Sequence, residues 1–257
     1  MKIISLNING IRAGERKGFF QWLAKQNADV VCLQEIKAQP DQITAESFWP
    51  DNYHCYYHTA DKKGYSGVAV YSRVKPDEVD YSLNWPEFDA EGRYLEIQLG
   101  DLHVASLYMP SGSSKEERQQ FKYVAMDRFM PLLREKQQDG HRHIICGDWN
   151  IAHKKIDIKN WRGNQKNSGF LPEERAWMDQ LFDEEAWVDA FREVNPEPEQ
   201  YTWWSNRGQA WANNTGWRID YQVVSANLKG TATSTDIYKE QRFSDHAPLI
   251  IEYDVDH

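Results

Sequence analysis

The sequence has little cysteine and no long hydrophobic run. Its 257 residues include 3 cysteines, none of them in a CxxC pair: Cys32, Cys55 and Cys146. Cys32 and Cys146 lie in apolar runs typical of strands, which favours buried free thiols over a disulfide or a zinc ligand. No apolar stretch approaches membrane-spanning length, and the polar residues 1–7 do not fit a signal peptide. We therefore expect a cytoplasmic protein with no membrane partner.

The chain also lacks linkers and several common catalytic loops. No stretch rich in proline, glycine or serine, no charge block and no low-complexity run divides it, so we predict a single domain over 1–257. A glycine-rich phosphate loop, a serine nucleophile elbow and a cysteine–histidine zinc spacing are all missing. Chemistry that depends on those loops is therefore not predicted.

Basic residues are outnumbered overall but concentrated in one segment. The 30 Lys and Arg residues face 39 Asp and Glu residues, and this net charge of −9 argues against nonspecific nucleic-acid binding. Between 153 and 167, however, five basic residues accompany the single acid Asp157: Lys154, Lys155, Lys159, Arg162 and Lys166. A local charge of +4 suits a polyanionic substrate, and a merely solvated loop is the alternative.

Hydrophobic periodicity predicts an α/β protein. Helices are predicted over 18–26, 115–138 and 172–182 from the 3.6-residue period. Period-two or continuous apolar runs predict strands over 2–8, 29–34, 54–58, 67–72, 94–99, 102–109, 143–147, 219–224 and 249–253. The strand–helix–strand plan of 2–35 recurs loosely in 102–148, which favours two helix-backed sheets packed face to face. An open doubly wound sheet is the alternative.

Polar side chains close four of the predicted strands. Asn7 closes the first, Glu35 the second, Tyr108 lies near the end of the sixth, and Asp148 and Asn150 follow the seventh. Each residue alone is typical of a loop cap or a turn. Ligand sites in layered α/β folds gather outside the carboxyl ends of strands, so four such ends indicate one site. Asp148 and Asn150 stand two apart, and on a continued strand their side chains share one face.

Two later segments contain further acids. Asp220 stands inside an apolar strand, where a carboxylate is costly unless it is paired. Asp245 directly precedes His246, ahead of the last predicted strand. A buried aspartate facing a histidine fixes the imidazole tautomer and raises its basicity. A structural hydrogen-bond role for Asp220 and a surface loop for the Asp–His pair are the alternatives.

Together these side chains indicate a metal-dependent hydrolase. Carboxylate and amide oxygens suit a hard cation such as Mg²⁺ or Mn²⁺. A metal, a carboxylate base and a histidine are typical of phosphate-ester hydrolysis, in which charge stabilisation and water activation lower the barrier.

Ordered motifs along nearly the whole chain carry a family resemblance. They are NINGIRA at 7–13, LQEIK at 33–37, GYSGVA at 64–69, YMP at 108–110, CGDWNIAH at 146–153, DIKN at 157–160, NQKNSGF at 164–170, GWRIDY at 216–221 and SDHAP at 244–248. With them the chain resembles the exonuclease III family of abasic-site (AP) endonucleases, within the DNase I-like endonuclease/exonuclease/phosphatase superfamily. The resemblance implies a four-layer α/β/β/α sandwich, with two mixed β-sheets packed face to face and flanked by helices.

The resemblance also implies roles for individual residues. Asp148 matches the residue that activates water or manages the leaving-group proton, and Tyr108 the phosphate or leaving-group tyrosine. Asp220 matches the carboxylate that orients the phosphate-contacting His246. The implied catalytic set is Tyr108, Asp148, Asn150, Asp220 and His246. The implied metal ligands, with Glu35 as the principal one, are Asn7, Glu35, Asp148, Asn150, Asp245 and His246.

A duplex-DNA partner follows from the same resemblance, and a monomer is expected. Family members flip an abasic sugar into a small apolar pocket, whose positions match Trp203, Trp217 and Ile219. A core or surface-cap role is the alternative for these side chains. The implied contacts to the DNA are Lys154, Lys159, Asn164, Lys166 and Asn167.

The implied activity is that of a Mg²⁺-dependent DNA repair nuclease, with Mn²⁺ able to substitute. It hydrolyses phosphodiesters at abasic sites, at 3′ ends of duplex DNA, or at both. The family commonly has Asn or Gln where this chain has Ser111, so the resemblance does not rank these activities. The alternatives are a catalytically silent nucleic-acid-binding regulator, which the retained acids disfavour, and a hydrolase of RNA, inositol phosphates or phospholipids.

Overall fold

The computed structural model describes residues 1–256 and contains fourteen strands and seven α-helices there. The strands are β1 (Lys2–Asn7), β2 (Val30–Gln34), β3 (His54–His58), β4 (Val68–Ser72), β5 (Glu78–Asp80), β6 (Tyr94–Leu99), β7 (Leu102–Tyr108), β8 (Arg142–Asp148), β9 (Val188–Asp189), β10 (Trp203–Trp204), β11 (Gly216–Trp217), β12 (Asp220–Val224), β13 (Ala232–Ile237) and β14 (Leu249–Tyr253). The helices are α1 (Ile11–Arg16), α2 (Phe19–Leu23), α3 (Pro86–Asp89), α4 (Glu116–Gln138), α5 (Trp161–Asn164), α6 (Pro172–Asp179) and α7 (Ala190–Val194). The last residue of the predicted domain, 257, lies outside the described residues.

Twelve of the strands form two six-stranded mixed sheets, and β10 and β11 pair as a separate two-stranded sheet. The first sheet has the order β13-β14-β1-β2-β4-β3 and the second the order β5-β6-β7-β8-β12-β9. β1 runs parallel to β2, and β7 runs parallel to β8, while the other neighbours within each sheet are antiparallel. Two separate mixed sheets replace the open doubly wound alternative and confirm the predicted fold class.

Three apolar layers hold the sandwich together. Between the sheets, Ile3, Val30 and Cys32 of the first sheet pack with Val104 and Cys146 of the second. Outside the first sheet, α1 and α2 bury their apolar faces against β1, β2 and β4. Outside the second sheet, the long helix α4 and α6 do the same against β7, β8 and β12. The layer order is therefore helix, sheet, sheet, helix.

Burial explains which strands the sequence reveals. Every residue of β2 and of β4 is buried, because both faces of these central strands are covered, and such strands read as continuous apolar runs. β13 is a polar strand at the edge of the first sheet, and only one of its six residues is buried. β5 and β9 are short edge strands. All three lack an apolar signal, and they were not predicted.

The carboxyl ends of the two parallel strand pairs lie at the same end of the sandwich. Gln34 at the end of β2 donates to Ser106 Oγ of β7 at 2.9 Å, and Ser106 donates to the Leu33 carbonyl at 2.9 Å. These buried bonds join the two sheets just below the loops that follow β1, β2, β7 and β8. Among residues 1–256, no helix has both the length and the apolar character needed to cross a bilayer.

Candidate active site

The fully buried Asn7 joins the two sheets at their common end. Its Nδ2 donates to Glu35 Oε1 at 2.8 Å and to Asp148 Oδ2 at 2.9 Å, while its Oδ1 accepts from the Asn9 backbone at 3.0 Å. Carboxylates only accept and a backbone N–H only donates, so these partners set the orientation of the amide. Asn7 thus bridges two carboxylates and does not offer them an oxygen. That Asn7 also binds the metal stays a prediction.

A tight turn, not a shared strand face, sets Asp148 beside Asn150. β8 ends at Asp148, and Asn150 adopts a left-handed conformation with φ of 53°. The Asn150 backbone N–H donates to Asp148 Oδ1 at 2.9 Å, which closes an Asx turn. Asn150 Nδ2 donates to the Met109 carbonyl at 2.7 Å, so the amide is anchored to the neighbouring loop. The prediction that Asp148 and Asn150 share one face of a strand was therefore wrong, but both side chains line the same cavity.

The close approach of β7 to β8 requires glycine at position 147, immediately before Asp148. A Cβ at Gly147 would collide with the Leu107 carbonyl oxygen. Glu35, one residue beyond β2, is left-handed with φ of 50°, a conformation that is uncommon for residues other than glycine. Its carboxylate lies 3.0 Å from Lys37 Nζ. The backbone at both strand ends is thus shaped to direct an acid into the cavity.

His246 is held between two buried aspartates. Its Nδ1 lies 2.8 Å from Asp220 Oδ2, and its Nε2 lies 3.8 Å from Asp148 Oδ2. Asp220 reaches this position because β12 pairs with β8 in a register that sets Asp220 opposite Asp148. Burial lowers the pKa of His246, but Asp220, Asp148 and Asp245 outweigh it and raise this pKa to about 10. The imidazole is therefore a cation, which suits a donor to phosphate, and its role as a metal ligand stays a prediction.

The Asp148 carboxyl exchanges its proton near neutral pH. Burial, followed by the charge of Asp220, raises the pKa of Asp148 to about 7, although His246 and Asn7 oppose the rise. Its side chain is almost completely buried, so the neighbours and not solvent determine its charge. A carboxyl group with this pKa can serve as a proton donor or acceptor at neutral pH.

Tyr108 remains protonated beside the acids. Burial, and then the negative charge of Glu35, raise the pKa of Tyr108 well above its ordinary value. The guanidinium of Arg93 lies 4.6 Å from the centre of the Tyr108 ring, and its Nη1 donates to the Tyr108 carbonyl at 3.0 Å. The neutral phenol is thus a fixed hydroxyl donor at the cavity wall.

Asp245 connects the acids to the tryptophans. Its Oδ1 accepts from Asn9 Nδ2 at 3.0 Å, and its Oδ2 accepts from Trp203 Nε1 at 3.0 Å. Burial raises the pKa of Asp245, but His246 and then Trp203 outweigh it, so this pKa is below its usual range. The Trp203 and Trp217 rings meet edge to face, with centroids 5.9 Å apart.

A cavity of about 760 Å³ opens above these side chains. Of the residues predicted for the site, it is lined by Glu35, Tyr108, Asp148, Asn150, Lys166, Asn167, Trp203, Trp217, Ile219, Asp245 and His246. Asn7 and Asp220 lie beneath this lining and contact it through Glu35, Asp148 and His246. The lining thus combines acidic side chains with an apolar wall formed by Trp203, Trp217 and Ile219.

The basic segment divides into two parts in the structure. Lys166 and Asn167 line the cavity, and Asn164 is joined to Asn167 by a hydrogen bond of 2.8 Å. Lys154 instead lies 2.5 Å from Asp179, and Lys159 forms an ion pair with Glu199. Neither of these two lysines lines the cavity, so the predicted phosphate contacts are not equivalent.

Several residues that shape the site were not predicted to do so. Asn9 holds Asp245, Arg93 packs under Tyr108, and Arg207 lines the cavity. Buried Lys122 of α4 pairs with Glu174 and donates to the Asn150 carbonyl at 2.7 Å. Asn9 belongs to the NINGIRA motif at 7–13, whereas Arg93, Arg207 and Lys122 reach the site from segments that have no motif for it.

The donor set fits a hard divalent cation. One ligand atom each from Glu35, Asp148 and His246 lie within 4.8 Å of one another. The two carboxylates and the nearby Asn150 supply oxygen donors, which are the ligands that Mg²⁺ and Mn²⁺ prefer. Buried acids gathered in this way, at the end of a two-sheet sandwich, define a class of enzyme: metal-dependent phosphodiesterases.

Comparison with known proteins identifies the family within that class. The Endonuclease/Exonuclease/phosphatase family matches residues 4–246. The exodeoxyribonuclease of Bacillus subtilis (strain 168) is 40% identical over 251 residues, covering 97% of this chain and 98% of that protein. The DNA repair nuclease APEX1 of Danio rerio is 36% identical, covering 98% of this chain and 81% of that protein.

Solved structures agree with the sequence relatives. The 3′-5′ exonuclease NExo of Neisseria meningitidis superposes with a TM-score of 0.89 at 25% identity, covering 99% of this chain and 100% of that one. An AP endonuclease of Archaeoglobus fulgidus superposes with a TM-score of 0.88 at 25% identity and the same coverage. The chain belongs to the Endonuclease/Exonuclease/phosphatase family and is a nuclease that cleaves phosphodiesters. The resemblance seen in the sequence is therefore confirmed.

Proposed function

We propose that this protein is a Mg²⁺-dependent DNA repair nuclease that cleaves phosphodiesters at abasic sites and at 3′ ends of duplex DNA. The observation that carries the proposal is the single cavity that is lined both by Asp148, Glu35 and His246 and by an apolar wall of Trp203, Trp217 and Ile219. Relatives named as an exodeoxyribonuclease and as a DNA repair nuclease support it. So does the solved structure of the 3′ phosphatase NExo bound to a product DNA hairpin.

Glu35, Asp148 and Asn150 would hold the cation. Mg²⁺ bound there supplies charge neutralisation for the phosphate and for the leaving oxygen, and Mn²⁺ offers the same chemistry. Asn7 sets the spacing of the two carboxylates by donating to both, at 2.8 and 2.9 Å. Removal of Asn7 would therefore disturb two ligands at once.

Asp148, His246 and Tyr108 have different roles in proton transfer and hydrogen bonding. Asp148, with a pKa of about 7, accepts a proton from the attacking water or passes one to the leaving oxygen. His246 stays protonated because Asp220 stabilises its charge, and it donates to a phosphate oxygen. The phenol of Tyr108 is a second donor for the phosphate or for the leaving group.

The apolar wall supports a preference for a sugar without a base. Trp203 is anchored to Asp245, and Ile219 packs in a cluster with Ala152, Ile158 and Phe170. A deoxyribose that has lost its base presents an apolar face of a size that such a wall can cover, and flipping it out of the helix costs less than flipping a paired nucleotide. Lys166, Asn167 and Arg207 at the rim are placed to meet the phosphates that flank it.

Hydrolysis of RNA, inositol phosphates or phospholipids is the second candidate. The family as a whole includes phosphatases, but the relatives named above act on DNA by their names, and the tryptophan wall suits a flipped sugar. Ser111 and Ser113 share a hydrogen bond of 2.9 Å at the rim, in place of the longer amide that the family commonly has at 111. We infer that this short side chain affects the balance between incision and 3′-end processing.

A substrate panel tests the proposal. Three labelled duplexes are compared, one with an internal abasic analogue, one with a recessed 3′ end and one with a 3′ phosphate, each with chelator and with chelator followed by Mg²⁺. Cleavage that chelator stops and Mg²⁺ restores is expected. Turnover that ignores the chelator would contradict the metal dependence, and turnover only of an RNA or inositol phosphate control would contradict the substrate.

We further propose that the protein works as a monomer in the cytoplasm. Buried Cys32 and Cys146 and half-buried Cys55 are free thiols, which is compatible with a reducing compartment. The large apolar side chains that are exposed, such as Trp49, Val74 and Val124, are scattered along the chain, which is compatible with a monomer. Sedimentation velocity with and without duplex DNA checks the oligomeric state, and fractionation of cells checks the compartment.

A further inference from the structure

A buried ion pair lies behind the turn that follows β8. Lys122 of α4 and Glu174 of α6 pair with each other, and both side chains are 0% exposed. Removal of two charges from water costs free energy, and apolar side chains of similar volume often stabilise such a position equally well or better. Stability alone therefore does not explain the pair, and its other hydrogen bonds indicate a second role.

Lys122 binds the backbone of the turn itself. Its Nζ donates to the Asn150 carbonyl at 2.7 Å. Asn150 is left-handed, a conformation that is uncommon for residues other than glycine and that needs support from its neighbours. The Asn150 N–H donates to Asp148 Oδ1, and its Nδ2 donates to the Met109 carbonyl. With the carbonyl held by Lys122, three polar groups of Asn150 are fixed, and the fourth, Oδ1, is available to the cavity that Asn150 lines.

Glu174 binds the backbone next to the cavity. Its Oε1 accepts from the Gly169 N–H at 2.8 Å and from the Leu171 N–H at 3.1 Å. A Cβ at Gly169 would lie 3.0 Å from the Trp217 ring and 3.3 Å from the Asn150 carbonyl oxygen. Gly169 thus lies between the apolar wall and the turn, and the ion pair connects the two.

We propose that Lys122 and Glu174 are positioning residues for the nuclease reaction. Lys122 fixes the Asn150 carbonyl, Glu174 fixes Gly169, and their pairing sets the distance between the turn and the apolar wall. Neither residue is among those that line the cavity, so both act through the backbone groups that they hold. The inference rests on the proposed function, in which Asn150 helps to hold the cation.

Replacement of Lys122 tests the proposal, with a second lysine of α4 as the matched control. Lys136 is half-buried, pairs with Glu96 at 2.8 Å, and lies about 21 Å from Lys122 along the helix. Lys122→Met should slow single-turnover cleavage of an abasic duplex by about tenfold or more, because catalytic groups tolerate little displacement. Lys136→Met should leave this rate unchanged, and duplex affinity in chelator should change little in either variant. An unchanged cleavage rate in Lys122→Met would overturn the proposal.

A double variant separates positioning from stability. Lys122→Met alone leaves the Glu174 charge buried and unpaired, so its urea midpoint should fall. Lys122→Met combined with Glu174→Gln leaves no buried charge unpaired, and the new amide retains an oxygen for the Gly169 and Leu171 N–H groups. The midpoint should therefore recover, while cleavage stays slow. Recovery of the rate together with the midpoint would show that the pair only stabilises the fold, and would overturn the proposal.

Hydrogen exchange at the Asn150 backbone amide is a readout that does not depend on turnover. Because this N–H is held by Asp148 within the turn, it should exchange about tenfold faster in both Lys122 variants and at an unchanged rate in Lys136→Met. Unchanged exchange in the Lys122 variants would overturn the proposal even if cleavage slowed. Failure of the unchanged protein to cleave the duplex would instead contradict the proposed function, and exchange would still decide whether Lys122 positions the turn.

Discussion

The two ends of strands β7 and β8 both bury polar side chains, but they do so in different ways. At the carboxyl end, Tyr108 and Asp148 face a cavity of about 760 Å³ and are surrounded by other oxygen donors. At the amino end, the rings of His103 and His143 lie with their centroids 4.9 Å apart, and each is bonded to a carboxylate, that of Glu96 or Asp139. The comparison teaches that one pair of parallel strands can build a hard-cation site open to a polymer at one end and a closed imidazole pair at the other.

Replacement of Asp148 should have the largest effect on catalysis. In Asp148→Asn, kcat on a labelled abasic duplex should fall about a thousandfold, because the group that exchanges a proton near neutral pH is lost. Single-turnover cleavage measures the effect, with His54→Gln as the matched control. A loss of less than about tenfold would show that another group handles the proton.

Replacement of Asp157, which forms ion pairs beside Trp217 and Ile219, has the next largest expected effect. Asp157 is 1% exposed and pairs with Arg218 at 2.8 Å and with Arg192 at 2.7 Å, beside Trp217 and Ile219. Asp157→Asn should lower the free energy of unfolding by about 3 kcal/mol, because two buried or half-buried guanidinium groups lose their shared anion. Urea denaturation near neutral pH measures this change, and an unchanged midpoint would contradict it.

The same variant gives a pH prediction. Burial raises the pKa of Asp157, but Arg218 and Arg192 outweigh it and lower this pKa to about 2. A carboxyl with a lowered folded-state pKa contributes stability that is complete above its unfolded value of about 3.9 and is lost as the pH falls toward 2. Unfolding free energy should therefore drop by about 2 kcal/mol over that window in the unchanged protein. Equal acid sensitivity in Asp157→Asn would refute the assignment.

Replacement of Asp220 sharpens the role of the charged histidine. In Asp220→Asn, the pKa of His246 should fall from about 10, because the main group that stabilises its charge is gone. Activity should then decline by about tenfold as the pH rises from about 6 to about 9, where the unchanged protein keeps its imidazolium. Superimposable pH–rate profiles would mean that the charge on His246 does not matter to the reaction.

The smallest effect concerns the basic segment. Lys166 lines the cavity, whereas Lys154 is paired with Asp179 at 2.5 Å. Lys166→Ala should reduce the slope of log affinity against log salt by about 0.9, and Lys154→Ala should leave it unchanged. Binding to an abasic duplex in chelator, at several salt concentrations, measures both slopes. Equal slopes for the two variants would show that the pairing seen here does not persist on DNA.

Much of the catalytic end could be predicted from the sequence. Glu35, Asp148 and His246 stand at the ends of apolar runs, and such runs reveal buried strands whatever their partners. The turn at Asn150 could not be predicted, because it depends on bonds to Asp148 and to the Met109 carbonyl. Lys154 and Lys159 had the expected charge, but acids distant in the chain neutralise them.

The histidine pair marks the limit of sequence reasoning. No spacing in the sequence predicts it, because His103 and His143 belong to different strands and meet only through the parallel register of β7 and β8. In the same way, Arg93 reaches Tyr108, and Lys122 reaches the Asn150 carbonyl, from segments far away in the chain.

The sequence by itself determined the central strands, the long helix, the acids at the strand ends and the family to which they belong. These features are local, since burial on both faces and the helical period leave a direct record in neighbouring residues. Only the tertiary structure decided that Asn7 bridges two carboxylates, that His246 is charged, and that two histidines meet at the other end of the sheet. Those properties depend on the distances between groups from different segments, and on the burial that strengthens their interaction.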